Sequence, residues 1–140
     1  VEIREEVGEE NFFLFGLTTE EVHTTKAEGY RPYDYYEKNE KLKEVLDFLI
    51  SGKLSGRDKE LFRPIFENLV QQDPYLLLRD FQSYVDCQTS IHEVWRQPKE
   101  WARKSILNVA NIGKFSSDRS ISDYSREIWK IKPVKISNGR

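Results

Sequence analysis

One cysteine and two histidines are the residues of this sequence that most directly suggest nucleophilic or metal chemistry. Cys87 and His92 lie five positions apart, and a thiolate beside an imidazole is an activated nucleophile. On a helix, however, residues at this spacing point about 140° apart, so the two side chains cannot meet there. His23 and His92 also lack a second histidine or cysteine at ligand spacing, and neither HExxH nor CxxC occurs. The sequence therefore predicts no metal site, and it predicts that Cys87 is a small buried packing residue.

Two carboxylates form the next candidate pair. Asp123 and Glu127 share one face of a predicted helix and could imitate the acid and base of a glycosidase. The same helix has a clear apolar side, which favours the simpler interpretation that both carboxylates belong to a solvated face. The glycines form neither GxGxxG nor GxxxxGK, so no phosphate-cradling loop is predicted either.

A corner between two predicted helices holds the most distinctive residues of the chain. Gly113 is predicted to end one helix in a left-handed conformation, and Ser116, Ser117 and Asp118 are predicted to cap the start of the next. Free amides at such a start favour an anion, but Asp118 supplies that negative charge itself. Arg119 could bind a carboxylate on a neighbouring domain. The corner is therefore interpreted as structural, for capping and interdomain docking, rather than as a ligand site.

The spacing of apolar residues predicts that most of the elements that position these residues are helices. Thr18 and Glu21 form a predicted capping box that starts one helix, and Gly29 ends it. Further helices are predicted at about 31–36, 40–51, 59–71, 80–96, 98–111 and 118–129. The last of these is amphipathic, and its apolar face consists of Ile121, Tyr124, Ile128 and Trp129.

One buried strand is predicted from Asn11 to Gly16, where four large apolar residues stand in a row. Residues 1–3 are interpreted as a second strand or the start of a short helix. A lone strand leaves backbone groups unpaired, at roughly 1–3 kcal/mol for each buried group. We therefore expect partner strands upstream of this chain. The lack of any methionine, even at position 1, likewise indicates a piece of a longer protein.

The composition sets further limits. The 140 residues are 38% hydrophobic and 33% charged, with three Trp, seven Tyr and eight Phe, which predicts a lean, aromatic core. A net charge of -2 argues against nucleic-acid binding, and no apolar run approaches the roughly 20 residues that span a bilayer. The acidic start is unlike a secretory leader, and the single cysteine fits a reducing compartment. Residues 130–140 carry four basic side chains and no acid, so a flexible basic tail is predicted.

Several motifs, taken in their order and spacing, resemble one family. They are Val1 to Ile3 with Gly8 to Gly16, Gly29-Tyr30 with Tyr35-Tyr36, Ser51-Gly52, Phe62 to Ile65, Asp73 to Tyr75, Tyr84 to Gln88, Trp101 with Ile106 to Asn108, and Gly113 to Trp129. Together they resemble the carboxy-terminal portion of the α-glucan (glycogen/starch) phosphorylases. The resemblance extends from Val1 to about Trp129, which is nearly the whole chain.

This resemblance implies a glycosyltransferase fold of the GT-B type, in which two Rossmann-like domains face a cleft. Residues 1–129 would form the last portion of the second domain, mainly α with one or two short strands. The last helix would cross back onto the first domain. Members of the family cleave α-1,4-linked glucose from chain ends with inorganic phosphate, giving glucose 1-phosphate. They use pyridoxal phosphate bound to a lysine as a Schiff base.

No functional residue of the family carries over to this sequence. The cofactor lysine belongs to a Gly-Thr-Gly-Asn-type segment, which neither Gly52-Lys53 nor Gly113-Lys114 matches. The phosphate-binding residues belong upstream of Val1. We therefore predict no catalytic, cofactor-binding or metal-binding residue here, no cofactor bound by this chain, and no activity of the chain alone.

The predicted partners are the remainder of a phosphorylase chain, with α-1,4-glucan and phosphate as ligands of the full-length enzyme, which could be a homodimer. No nucleic acid or membrane is expected, and the predicted location is the cytoplasm, with a plastid as the alternative. A different class of function stays open at this point. The chain could be a stand-alone helical interaction module, or a truncated gene product, that binds a partner through the exposed edge of the strand at 11–16.

Overall fold

The computed structural model describes residues 2–132 and 134. Within them the fold is mainly helical, as predicted. The α-helices are α1 Glu2–Val7, α2 Thr19–Ala27, α3 Pro32–Lys38, α4 Glu40–Leu49, α5 Arg63–Gln71, α6 Leu77–Trp95, α7 Pro98–Asn111 and α8 Ser117–Asp123. Short 3-10 helices lie at Glu9–Asn11 and Ile112–Phe115, and a π-helical turn lies at Tyr124–Ile128. None of the helices in this part of the chain is both long and apolar enough to cross a membrane.

The chain divides into two compact units. One unit comprises the residues up to Phe13 together with those from Glu93 onward, and the other runs from Leu14 to His92. The division falls close to the end of α6.

The unit from Leu14 to His92 has its core between α3, α4, α5 and α6. Buried side chains from these four helices form one cluster, which consists of Tyr36, Leu42, Leu46, Val70 and Leu78. Leu42 and Leu46 are four positions apart, so both lie on the same face of α4. Asn39 fixes the start of α4, because its Oδ1 accepts a 3.0 Å hydrogen bond from the N–H of Leu42.

Tyr36 is the aromatic centre of that core. Its ring meets the ring of Phe66 edge-on, with the centroids 5.7 Å apart. Its hydroxyl donates a 2.6 Å hydrogen bond to Oδ1 of Asp47, so the polar end of a buried ring is satisfied. The buried cluster has one aromatic and four aliphatic side chains, and Tyr35, Phe66 and Phe81 pack against it, so the core of this unit is aromatic only in part.

The predicted start is confirmed for α2 and wrong for α5. The capping box is confirmed, since the N–H of Thr18 donates to Oε2 of Glu21 over 2.8 Å and the N–H of Glu21 donates to Oγ1 of Thr18 over 3.3 Å. The helix predicted from residue 59 instead begins at Arg63. Pro64 explains the later start, because proline lacks an N–H and is best placed in the first helical turn.

The predicted strand from Asn11 to Gly16 is wrong. Asn11 ends a 3-10 helix, Phe12 has extended dihedrals (φ -129°, ψ 136°), and no strand occurs in residues 2–132 or at 134. A strand needs a neighbour to complete its ladder of hydrogen bonds, and the described residues offer none. The N–H groups of Gly16 and Leu17 donate instead to side chains of α6, to Oγ of Ser83 over 3.0 Å and to Oδ1 of Asp80 over 3.1 Å. At the start of the chain the helical alternative is confirmed by α1, while Val1 lies outside the described residues.

In the other unit, α1 and the first 3-10 helix pack against α7. Val7 is buried there, and Asn108 on α7 donates a 2.7 Å hydrogen bond from Nδ2 to the carbonyl of Asn11. Phe13 stacks on Trp101 with centroids 6.4 Å apart. The resulting core is small and depends on aromatic and amide side chains.

The predicted basic tail at 130–140 lies mostly beyond the part of the chain that the structure describes. Lys130, Ile131, Lys132 and Val134 are described, and all four are exposed and outside regular secondary structure. Pro133 and residues 135–140 lie outside the described residues, so the flexibility of the tail stays a prediction.

Candidate functional site

The corner before α8 is capped by Ser116, one of the three residues predicted for this role, whereas Ser117 and Asp118 lie in the first turn of the helix. Oγ of Ser116 accepts a 3.3 Å hydrogen bond from the N–H of Arg119, which satisfies one of the free amides at the helix start. The predicted left-handed exit at Gly113 is wrong, because this glycine does not have a positive φ and lies in the 3-10 helix Ile112–Phe115. The tighter turn satisfies the carbonyl of Gly113 through the N–H of Ser116, at 3.0 Å, so no left-handed residue is needed.

The last predicted helix is not one continuous α-helix. α8 ends at Asp123, and the chain continues as the π-helical turn Tyr124–Ile128, in which the N–H of Trp129 donates over 2.8 Å to the carbonyl of Tyr124. The four residues of the predicted apolar face are exposed by about half or more of their surface. Their exposed fractions are 53% for Ile121, 49% for Tyr124, 65% for Ile128 and 53% for Trp129. We call these four residues the terminal apolar face.

Arginines bind both carboxylates of the predicted pair, Asp123 and Glu127. Asp123 accepts from Arg119 over 2.6 Å and from Arg126 over 2.7 Å, and Glu127 accepts from Arg126 over 2.9 Å. The hydrogen bond to Glu127 contributes most to raising the pKa of Arg126, and the hydrogen bond to Asp123 contributes next. Arg119 also donates to the carbonyl of Lys114, so it binds within its own corner. The arrangement is a surface ion network, as the solvated-face interpretation predicted.

The residues considered for nucleophilic or metal chemistry are not brought together. Cys87 and His92 lie five positions apart on α6, the spacing from which the sequence excluded their pairing. Cys87 is half-buried rather than buried as predicted, because this stretch of α6 has only partial cover. Among residues 2–132 and 134, no group of three or more His, Cys, Asp or Glu side chains is placed to hold a metal ion.

A buried carboxylate that the sequence did not single out organises the start of α6. Asp73 is only 1% exposed. Its Oδ1 accepts from the N–H of Leu77 over 2.9 Å, and its Oδ2 accepts from the N–H of Leu78 over 2.8 Å and from the hydroxyl of Tyr30 over 2.6 Å. Burial, together with this hydrogen bond, raises the pKa of the Tyr30 phenol. A signal was present in the sequence, since an aspartate before proline often begins a turn that precedes a helix.

A second feature that the sequence reasoning missed is a concavity of about 450 Å³ in the same unit, where α2 ends and α3 begins. Four charged and two aromatic side chains line most of it. They are Glu28, Arg31, Asp34, Lys38, Tyr30 and Tyr35. We call it the α2–α3 concavity. Its signal was the mixture of charges and tyrosines just after Gly29, which was interpreted only as the restart of a helix.

A comparison with protein families decides how these features are to be understood. A family model described as carbohydrate phosphorylase matches residues 1–131. The chain belongs to the carbohydrate phosphorylase family. The resemblance noted from the motifs is thereby confirmed.

Individual phosphorylases match the chain along nearly all of its length. It is 58% identical to a glycogen phosphorylase of Synechocystis sp., over 97% of this chain and 16% of the relative. It is 41% identical to a glycogen phosphorylase of Haemophilus influenzae, over 99% of this chain and 17% of the relative. It is also 41% identical to the muscle form of glycogen phosphorylase of Mus musculus, over 96% of this chain and 16% of the relative. The chain therefore spans about a sixth of the length of these relatives, and the alternative of a stand-alone module is not favoured.

Two of the motifs that suggested a phosphorylase meet in space. Gly29-Tyr30 contacts Asp73-Pro74-Tyr75 through the hydrogen bond between Tyr30 and Asp73, and Lys26 donates to the carbonyl of Pro74 over 3.3 Å. The motif at Gly113 to Trp129 forms the capped corner and the terminal apolar face. In this phosphorylase chain, these three motifs thus include turns and a helix start, whereas Tyr84 to Gln88 lies within α6 and Ile106 to Asn108 within α7.

Proposed function

We propose that this chain is the carboxy-terminal part of an α-glucan phosphorylase. The whole protein would cleave α-1,4-linked glucose from chain ends with inorganic phosphate and release glucose 1-phosphate. The observation that carries this proposal is the 58% identity to a glycogen phosphorylase over 97% of the chain. Similar matches to bacterial and mammalian glycogen phosphorylases support it.

The role of the chain within that protein is structural. Residues 1–129 would complete the second Rossmann-like domain of a GT-B fold, and residues 130–140 would form a flexible basic tail. The last helix would pack on the first domain. The terminal apolar face supports this role, because large side chains such as Ile128 and Trp129 are 65% and 53% exposed in the chain alone. Apolar patches of this kind mark surfaces that other protein segments cover.

Lys43 and Lys114 do not fit a Schiff base with pyridoxal phosphate. Such a lysine must lose its proton readily, which a buried or cationic environment favours. These two lysines have the opposite environment, since Lys43 donates a hydrogen bond to Glu37 and Lys114 donates one to Glu6, and each bond raises the pKa of its lysine. We therefore assign the cofactor, the phosphate site and the catalytic residues to parts of the protein outside this chain. The chain alone is expected to be inactive.

The location proposed for the protein is the cytoplasm, with a plastid as the alternative. Cys87 is the only cysteine of the sequence and is a free thiol, which suits a reducing compartment.

An activity assay tests the enzymatic part of the proposal. The whole protein that contains this sequence should release glucose 1-phosphate from glycogen in the presence of inorganic phosphate, and the 140-residue chain should release none. A whole protein without this activity on any α-1,4-glucan would contradict the proposed reaction. Measurable release by the chain alone would contradict the assignment of the chemistry to other residues.

A pair of variants of the whole protein tests the structural part. Ile128→Asp places a charge on the terminal apolar face, and burial of an unpaired charge against another domain should strongly lower the free energy of unfolding. Ser122→Asp introduces the same charge at an exposed position of α8 outside that face, and it should have little effect. Equal stability of the two variants in chemical denaturation would argue against docking of the last helix.

A further inference from the structure

The α2–α3 concavity lies between the end of α2 and one side of α3. The lining residues from α3 and its N-cap recur at the spacing of one helical face. They are Arg31, Asp34, Tyr35 and Lys38. Glu28 contributes from the C-cap of α2. These side chains line one space of about 450 Å³, a size typical of sites for small ligands.

The charges in this space are balanced and only loosely paired. Glu28 and Asp34 contribute two carboxylates, and Arg31 and Lys38 contribute two cations. Nε of Arg31 and Oδ1 of Asp34 are 3.9 Å apart, which is too long for a hydrogen bond. Within the described part of the chain, no ion pair engages Glu28 or Lys38. Both signs of charge are therefore available to a ligand at the same place.

This balance of charge selects the kind of ligand. A purely anionic ligand would meet two carboxylates, and a purely cationic ligand would meet an arginine and a lysine, so neither gains much here. A zwitterion satisfies both signs, because an ammonium group has three donors for carboxylates and a carboxylate accepts from arginine or lysine. Hydrogen bonds between charged groups are also roughly twice as strong as those between neutral groups. A small zwitterion therefore gains more from this surface than an uncharged polar molecule does.

Two tyrosine rings supply an apolar surface beside these charges. The centroids of Tyr30 and Tyr35 are 5.3 Å apart, and the ring planes are inclined by 46°. The Tyr30 ring is fixed by its hydrogen bond to Asp73, and the guanidinium of Arg79 lies 5.9 Å from the centroid of Tyr35. Rings held in this way lose little conformational entropy when a ligand binds. An aromatic group on the ligand would gain most from them, because aromatic pairs are stabilised beyond their buried area.

We propose that the α2–α3 concavity binds a free α-amino acid with an aromatic side chain. The ammonium group of the ligand would donate to Glu28 and Asp34. Its carboxylate would accept from Arg31 and Lys38, and its ring would pack against the tyrosines. The proposed phosphorolysis neither supplies nor consumes an amino acid, so this site adds a ligand to the protein and no step to its reaction.

A series of probes separates the contributions of the two charges. Phenylalanine carries both charges, phenylalanine amide only the positive one, N-acetylphenylalanine only the negative one, and N-acetylphenylalanine amide neither. Titration calorimetry on the whole protein measures the Kd of each probe. Because every probe has the same aromatic ring, differences in Kd report the charged groups.

A charge-neutral pair of substitutions in the whole protein locates the site. Asp34→Ala with Lys38→Ala removes one carboxylate and one cation from the concavity. Glu44→Ala with Lys41→Ala removes the same two charge types from exposed positions of α4 outside it and is the matched control. Unfolding curves for both proteins establish that each is folded.

The expected result is binding that needs both charges of the ligand and both charges of the concavity. Phenylalanine should bind the unmodified protein and the control pair equally, and the test pair about tenfold more weakly. Each of the other probes should bind the unmodified protein about tenfold more weakly than phenylalanine does. Phenylalanine should also raise the Tm of the unmodified protein and of the control pair more than that of the test pair.

Other outcomes would overturn the inference. Equal phenylalanine binding by the test and control pairs would place the ligand elsewhere, and no binding at millimolar phenylalanine would remove it. Binding of N-acetylphenylalanine amide as tight as that of phenylalanine would show that the charges do not recognise the ligand. Tighter binding of N-acetylphenylalanine than of phenylalanine would identify an anion site instead. These measurements do not depend on whether the protein carries out phosphorolysis.

Discussion

The hydroxyl of Tyr30 donates a 2.6 Å hydrogen bond to Oδ2 of Asp73, a residue 43 positions further along the chain. The bond joins the segment before α3 to the start of α6. Asp73 has a positive φ of 34° and is almost completely buried, so its backbone and its charge are both in costly environments. They are tolerated because the carboxylate accepts from Tyr30 and from the amides of Leu77 and Leu78.

Removing Tyr30 or Asp73 from this bond should lower the free energy of unfolding, and removing Asp73 should lower it more. Tyr30→Phe removes one of three bonds to the carboxylate and should cost about 1–2 kcal/mol. Asp73→Ala removes all three hydrogen bonds and places alanine at a positive φ, so it should cost about 3 kcal/mol or more. Urea denaturation at low protein concentration measures both values. The double variant should be less destabilised than the sum of the two single variants, because they share one interaction.

Asp73→Asn is the conservative control for that experiment. Asparagine keeps one acceptor oxygen and tolerates a positive φ, so its stability should lie between those of the unmodified protein and Asp73→Ala. Full stability of Tyr30→Phe would mean that the Tyr30 bond makes no net contribution and that the two backbone amides hold Asp73 without it.

The raised pKa of Tyr30 predicts a loss of stability in alkali. Below a pH of about 10, the phenol is protonated in the folded and unfolded states, and the contribution of the pair is complete. Above it, the unfolded chain releases the proton while folded Tyr30 keeps it, so the free energy of unfolding falls as pH rises towards the folded-state pKa. When the pH is raised from about 9 to about 11, Tyr30→Phe should therefore lose less stability than the unmodified protein, as measured by urea denaturation.

Tyr75→Phe is the matched control, because the Tyr75 side chain is 80% exposed. Its alkaline profile should follow that of the unmodified protein. Parallel profiles for all three proteins would show that the Tyr30 phenol does not couple to folding.

Two glycines with the same backbone angle provide a test of packing against α6. Gly16 and Gly29 both have a φ of 87°. A Cβ at Gly16 would lie 2.9 Å from Oδ2 of Asp80, whose Oδ1 accepts from the N–H of Leu17, whereas a Cβ at Gly29 meets nothing. Both substitutions to alanine should destabilise through the positive φ, and Gly16→Ala should cost about 1 kcal/mol more because the Asp80 bond must shift.

A background substitution isolates that contact. In an Asp80→Ala protein the obstacle is absent, so the costs of Gly16→Ala and Gly29→Ala should become equal in the same denaturation experiment. If the difference between them persists without Asp80, collision with its carboxylate is not the cause.

Local signals predicted much of the helical fold. Thr18 with Glu21 formed its capping box, Pro98 began α7, and Ser116 capped α8. Each of these signals involves groups within about four residues, so the information is local and survives whatever surrounds it. The terminal apolar face was also readable, because helical periodicity depends only on spacing.

Other features depended on residues far apart in the chain. The segment at 11–16 had strand composition, but its last amides found Ser83 and Asp80 on α6, and no neighbouring strand is present among the described residues. The π-helical turn at Tyr124–Ile128 and the non-left-handed Gly113 follow from how turns close, which residue type alone does not decide. The α2–α3 concavity was hidden because its residues also serve as ordinary helix ends.

The sequence by itself determined the family, the succession of helices and their caps, since these rest on residue identity and short-range hydrogen bonds. Only the tertiary structure decided that Asp73 would be buried beneath Tyr30, that an apparent strand would be held by side chains of a helix, and that the terminal apolar face would stay exposed. The physical reason is that burial and pairing of backbone groups are settled by partners at long range. A sequence pattern states which groups need partners, and the fold decides which partners they obtain.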